Sequence, residues 1–215
     1  MEMRKFADMK LFALLLFPFL VQAQTHNTAK DLLNDVYEHT LTLETQHIAF
    51  TNTIGAPSNG GMKERSSKGE LFAMGEKVRV KTDAFEFLSD ASKAYLIYPE
   101  DEEIETTASD EETSLSPADI LKNYQSGYSY KMAGKLVGNN GRTIQYVALR
   151  PVASEEVKEI LIGIDVKSLL LENYTQYGTN GVKTVFSVDS YEINVPLDKE
   201  MFNINSSEFE GFYRL

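Results

Sequence analysis

Gly69-Glu70-Leu71-Phe72-Ala73-Met74-Gly75-Glu76-Lys77-Val78-Arg79-Val80-Lys81-Thr82 decides the fold. Two runs that alternate apolar and polar residues flank a glycine turn, so the stretch reads as one unit of an antiparallel meander. Alternation puts Val78 and Val80 on one face and Arg79 and Lys81 on the other. Working outward, the same rhythm predicts strands over 62–74, 77–82, 84–89, 93–98, 128–137, 142–150, 158–165, 168–177 and 182–194. Upstream, Ile48, Phe50, Asn52 and Ile54 alternate with His47, Ala49, Thr51 and Thr53, which predicts a further strand from Gln46 to a turn region at Gly55 to Gly61. Asn139-Asn140-Gly141 and Thr179-Asn180-Gly181 supply the positive φ that tight hairpins require.

Two segments change period. Thr28-Ala29-Lys30-Asp31 is a capping box, and Leu32, Leu33, Val36, Tyr37 and Leu41 follow at helical spacing. In Leu115-Ser116-Pro117-Ala118-Asp119-Ile120 a serine cap, a proline at the first helical position and an acid at the third start a short helix running to about Gln125. The class is therefore mainly β with α (α+β).

Before the first helix, Arg4, Lys5 and Lys10 precede an apolar run from Leu11 to Val21. Its 11 residues are too few for a membrane helix, which needs about 20, and they suit the core of a signal peptide. Val21 and Ala23 place cleavage before Gln24, although Met9 is an alternative start. The expected organisation is a signal peptide at 1–23 and one domain at 24–215, exported to the periplasm.

The 215 residues carry 21 basic and 32 acidic side chains, a net charge of −11, with 42% apolar residues and no cysteine. Removal of 1–23 would leave 18 basic against 30 acidic groups, which disfavours self-association and suits a monomer. The acidic balance argues against a nucleic-acid surface. Without cysteine there is no disulfide, no thiolate metal site and no thiol nucleophile, and the mature chain cannot itself be a lipoprotein. Eight acids in the thirteen residues Glu100 to Glu112 lack the spacing of a calcium loop and read as a solvated loop that blunts a sheet edge.

Recognisable catalytic chemistry is nearly absent. His26, His39 and His47 form no metal-ligand pair, and no nucleophile elbow or phosphate-cradling glycine loop is present. Asp165 and Glu172 read as solvent-facing carboxylates. We expect no enzyme, no cofactor and no metal. Apolar surface stands out instead. The inner face of the meander would carry Ile48, Phe50, Leu71, Val78, Val80, Phe85, Phe87, Tyr95 and Ile97. The helices would add Leu33, Val36, Tyr37, Ile120, Leu121 and Tyr124. Periodicity reports burial, so this set describes either a filled core or the wall of a ligand cavity.

Ala49-Phe50-Thr51, Gly69-Glu70-Leu71-Phe72, Lys77-Val78-Arg79-Val80, Ser89-Asp90 and Tyr95-Leu96-Ile97-Tyr98-Pro99, in this order after an amphipathic helix, resemble the periplasmic lipoprotein carrier family LolA. Ser116-Pro117-Ala118-Asp119-Ile120-Leu121, Gly127-Tyr128-Ser129-Tyr130-Lys131 and Pro196-Leu197-Asp198 before Phe202 are similar to the branch found in Bacteroidetes-type bacteria. The resemblance implies an incomplete antiparallel β-barrel, a half-barrel with a helical lid as in LolA and LolB. It makes the fifteen apolar residues above the lining of a lipid-binding cavity. It further implies lipoprotein acyl chains as cargo, an inner-membrane lipoprotein-releasing ABC transporter as the loading partner and an outer-membrane acceptor. An exported lipid- or glycolipid-binding or envelope-stress sensing module of the same fold, or a filled-core β-protein, is the alternative. The sequence departs from the family where Met74-Gly75-Glu76 replaces an Arg-Pro pair whose arginine ties the lid shut. It also departs at Ala91, where glycine is usual, and at Tyr95, where tryptophan is.

Overall fold

A computed structural model describes residues 28–107, 115–137 and 141–215. The proposed signal peptide and Asn139-Asn140 lie outside these residues. The chain begins with helix α1 (Ala29–Leu41), capped by the Thr28 hydroxyl, which accepts from the Asp31 N–H at 3.1 Å. Five strands follow, β1 (Thr45–Ser58), β2 (Gly61–Met74), β3 (Lys77–Thr82), β4 (Glu86–Ser89) and β5 (Ala94–Tyr98), then β6 (Glu103–Thr107). Helix α2 (Pro117–Asn123) precedes β7 (Tyr128–Val137), β8 (Thr143–Pro151), β9 (Val157–Asp165), β10 (Leu170–Gly178), β11 (Lys183–Ile193) and the short β12 (Tyr213–Arg214).

All twelve strands form one sheet in the order β12-β6-β5-β4-β3-β2-β1-β11-β10-β9-β8-β7. Every pairing is antiparallel except that of β12 with β6. The return of β11 to β1 joins the two halves of the meander, and β12 and β7 remain as edges of an open sheet.

The register divides the apolar residues between two faces. On the inner face α1 presses Leu32, Leu33 and Val36 onto Val147, Leu149, Ile160, Ile162 and Ile164 of β8 and β9. Beside this core a second cluster unites Ile48, Phe50, Leu71, Ala73, Val78, Val80 and Phe87. Phe50 lies directly over Gly69, where an added methyl carbon would stand 2.4 Å from its ring and 2.8 Å from the Lys81 carbonyl. Only a residue without a side chain lets the ring lie that close to β2.

The outer face differs from expectation. Tyr95 pairs with Leu88, and Ile97 with Ile104, so both residues point away from Val80. With Ile204 and Phe209 of the C-terminal segment they form a third buried cluster. The alternation in 93–98 is correct in period, but Leu96, opposite Phe87, is the inward residue. The acidic stretch is likewise only partly a loop: Glu103–Thr107 is a strand that pairs with β5 and buries Ile104 completely. Residues 108–112 of that stretch lie outside the described residues. The first hairpin is longer than predicted, because Gly55 to Ser58 continue β1 and the turn contracts to Asn59-Gly60. Ala91 adopts φ +75°, the left-handed region that favours glycine, held there by Asp90, whose carboxylate accepts from the N–H groups of Ser92 and Lys93.

Asp165 is not solvent-facing. It is 4% exposed, accepts from Arg142 Nε at 2.9 Å, and shares that guanidinium with Glu172. Burial works to raise its pKa, but the N–H groups of Lys167 and Ser168 together with Arg142 outweigh burial and hold it below the ordinary aspartate value.

Candidate functional site: an apolar cavity between helix α2 and the sheet

Between the inner face and α2 lies a cavity of about 530 Å³, within the range of about 300–1,000 Å³ typical of small-ligand sites. Its floor is built by five strands. β1 gives Ile48 and Phe50, β2 Leu71, β3 Val80, β10 Leu171 and Tyr174, and β11 Phe186, Val188 and Tyr191. The roof is Leu115, Pro117, Ile120, Leu121 and Tyr124 from α2 and its approach, with Phe85 from the β3–β4 turn closing one side.

Of the fifteen residues expected to line a cavity, Ile48, Phe50, Leu71, Val80, Phe85, Ile120, Leu121 and Tyr124 meet around this space. Val78 and Phe87 belong to the same cluster as this wall but do not line the space. Leu33 and Val36 are buried in the adjoining core under α1, and Tyr37 packs against that core. Tyr95 and Ile97 belong to the outer-face cluster with Ile204 and Phe209.

Sequence reading missed the contribution of β10 and β11. Phe186 and Val188 were legible as alternating residues of one strand. Tyr191 was not, because the pairing with β1 shifts between Ala49 and Phe50, and this bulge turns Tyr191 inward opposite Ile48. Phe50 and Phe186 then pack ring against ring across the strands with centroids 4.7 Å apart.

Polar groups interrupt the apolar lining, among them Thr40 of α1. Tyr191 donates to Gln46 Oε1 at 2.5 Å, and burial pushes its hydroxyl well above the ordinary tyrosine range. Burial, reinforced by Tyr174, does the same for Tyr124. These hydroxyls stay protonated at neutral pH, so the inner end of the cavity carries no charge. Asn52, Ser67 and Thr184 face the space from β1, β2 and β11, and Thr82 and Asp83 line it from the end of β3 and the turn after it. Among the described residues no group of three or more His, Asp or Glu side chains could hold a metal ion. No described helix is long and apolar enough to cross a membrane.

The roof depends on its cap. Ser116 accepts from the Asp119 N–H at 3.0 Å and donates to the Asp119 carboxylate at 2.6 Å. Ser116→Ala is expected to cost about 1 kcal/mol, the worth of an N-cap, and to loosen α2 before the sheet. Hydrogen exchange should accelerate at 117–125 while 183–193 stays protected. A uniform loss of protection would show that α2 opens only with the whole fold.

The fold and its site thus define an open antiparallel sheet that keeps an apolar pocket under a short helix. No protein-family model and no curated protein matches the chain. Solved structures share the fold. An uncharacterized conserved protein from Thermus thermophilus superposes with a TM-score of 0.56 at 8% identity, over 85% of this chain and 96% of that one. MucB superposes with a TM-score of 0.53 at 14% identity, over 84% of this chain and 63% of its own. A LolA superfamily protein, NE2245 from Nitrosomonas europaea, matches with a TM-score of 0.42 at 11% identity, over 81% of this chain and 97% of that one.

Proposed function

We propose that the protein is a periplasmic carrier, exported with removal of residues 1–23, that holds lipoprotein acyl chains in the cavity and takes lipoproteins from the inner to the outer membrane. The observation that carries this reading is the cavity itself: about 530 Å³ of space walled by aliphatic and aromatic side chains, where an ordinary core would be filled. Each acyl methylene buried there stabilises the complex by about 0.8 kcal/mol, so affinity needs no specific polar contact. In this reading α2 is the lid. An ATP-driven inner-membrane transporter loads the monomeric carrier and an outer-membrane acceptor receives the cargo. The lid lock differs from the family pattern, because the buried arginine of this chain, Arg79, ties down the C-terminal segment on the outer face and does not reach α2.

The likeness to MucB, solved in complex with MucA(peri), favours one second reading, a module of the same fold that binds a protein partner. Native mass spectrometry of protein purified from the cell envelope separates the two. A carrier should retain diacylated polypeptide or lipid, and release it when α2 is loosened by Ser116→Ala. Protein recovered at its bare mass from every preparation would overturn the carrier reading.

A further inference from the structure

Among the described residues β2 leaves half of its length without a second neighbour. It pairs with β1 from Gly61 to Met74, but with β3 only from Gly69 to Met74, so among these residues the backbone at 61–68 is an open strand edge. Such edges are usually short, bulged, broken by proline or guarded by charged side chains, and here only the last applies, through Lys63, Glu64, Arg65 and Lys68. This one runs in unbroken register with β1 and contains no proline. On its cavity face stand Lys63, Arg65 and Ser67, paired with Ala56, Ile54 and Asn52. Ser67 and Asn52 line the polar end of the cavity, and among the described residues their side chains have no hydrogen-bond partner. Among the same residues Lys63 and Arg65 form no ion pair, although the chain carries a net charge of −11.

We propose that the open edge of β2 at 61–68 takes up an extended acidic peptide as an added strand, and that this peptide is the segment next to the acylated end of the cargo. The acyl half of the proposal rests on the carrier reading, whereas the strand addition stands on the edge alone. Backbone N–H and C=O groups of β2 provide affinity that is indifferent to sequence. Alternate side chains of the added strand fall on the cavity face, so carboxylates two residues apart meet Lys63 and Arg65. The polar end at Asn52 and Ser67 then lies where the acyl chains leave the cavity and the peptide begins.

The test uses a palmitoylated peptide with Glu at alternate positions, two copies of it N-methylated at the odd or the even backbone amides, the unacylated peptide, and a fluorescent fatty acid. Wild type should bind the unmodified lipopeptide at least about tenfold tighter than one of the methylated copies. Amide resonances at 61–68 should shift with the unacylated peptide. Lys63→Glu with Arg65→Glu, both exposed, should melt like wild type, bind the fatty acid unchanged, and lose at least about tenfold for the acidic lipopeptide. Equal affinity for all three lipopeptides, or unchanged affinity in the double variant, would overturn the strand addition. So would a concentration-dependent dimer that the double variant abolishes, because the edge would then serve a second copy of the chain. Failure of the fatty acid to bind while the peptide still shifts 61–68 would sink the carrier reading and leave the edge site standing.

Discussion

Val80→Glu is expected to yield a protein that still folds cooperatively but no longer binds a fluorescent fatty acid. Val80 is 6% exposed, faces the cavity from β3 and pairs with Leu71 and Phe87. A carboxylate placed there can draw water into a space of about 530 Å³, so it need not be buried dry. An acyl chain entering afterwards would have to strip that water from a charge, which costs far more than the contact contributes. The melting temperature should fall modestly and lipoprotein release from membranes should cease. Val78→Glu is the control. It lies two residues away on the same face, but Val78 is 1% exposed and does not line the cavity. An unpaired charge there costs several kcal/mol of a total stability of about 5–15 kcal/mol, so this variant should melt far below Val80→Glu or fail to fold. If Val80→Glu also failed to fold, the space would be behaving as an ordinary core. If it bound the probe like wild type, Val80 would not line the ligand site.

Arg79→Met is expected to lower stability by about 3–5 kcal/mol, the cost of leaving the partner of a buried ion pair behind. Arg79 is 1% exposed on the outer face of β3. Its Nε and Nη2 donate to Glu86 at 2.9 and 2.6 Å, its Nη1 and Nη2 to Glu208 at 2.8 and 2.7 Å, and its Nη1 also to the Met201 carbonyl at 3.0 Å. The guanidinium therefore joins β3 and β4 to the C-terminal segment and lies over the ring of Phe209. At about 2–4 °C per kcal/mol the melting temperature should drop by about 10 °C. The pH dependence should change with it. Hydrogen bonding to Arg79 holds Glu208 below its ordinary value of 4.5 in spite of partial burial, and Lys81 adds to the effect. A depressed carboxylate stabilises the fold above that ordinary value and loses the contribution as the pH falls through its folded value. Melting curves of wild type should thus steepen in their decline below pH 4.5, and Arg79→Met should lose part of that slope. Asp165 and Asp90, each held low by its own partners, should keep a share of it. An unchanged melting temperature would show that the C-terminal segment is not fastened through Arg79.

Much of the architecture was legible in the residues. The alternation around Val78 and Val80, the glycine turns and the serine and threonine caps specify strands and helices locally. The predicted strands therefore recur as β1 to β5 and β7 to β11, and both helices recur with them, with boundaries moved by a few residues. Where the reading failed, a distant partner decided. β6 and its approach carry acids at Asp101, Glu102, Glu103 and Glu105 around Ile104, which reads as a loop until β5 and β12 pair with it. Tyr95 and Ile97 had the right period, but the face they belong to depends on the register of β4 with β5.

The cavity divides along the same line. From sequence came the apolar character of its walls and the helix that roofs it, because hydrophobic period and capping chemistry depend on neighbours a few residues away. Whether that apolar surface encloses space or fills it, the inward turn of Tyr191 at the bulge opposite Ala49 and Phe50, and the burial of Arg79 beneath Phe209 came only with the tertiary structure. A residue's period says which side of a strand it occupies. What covers that side, and how closely, is set by elements outside the local stretch of sequence.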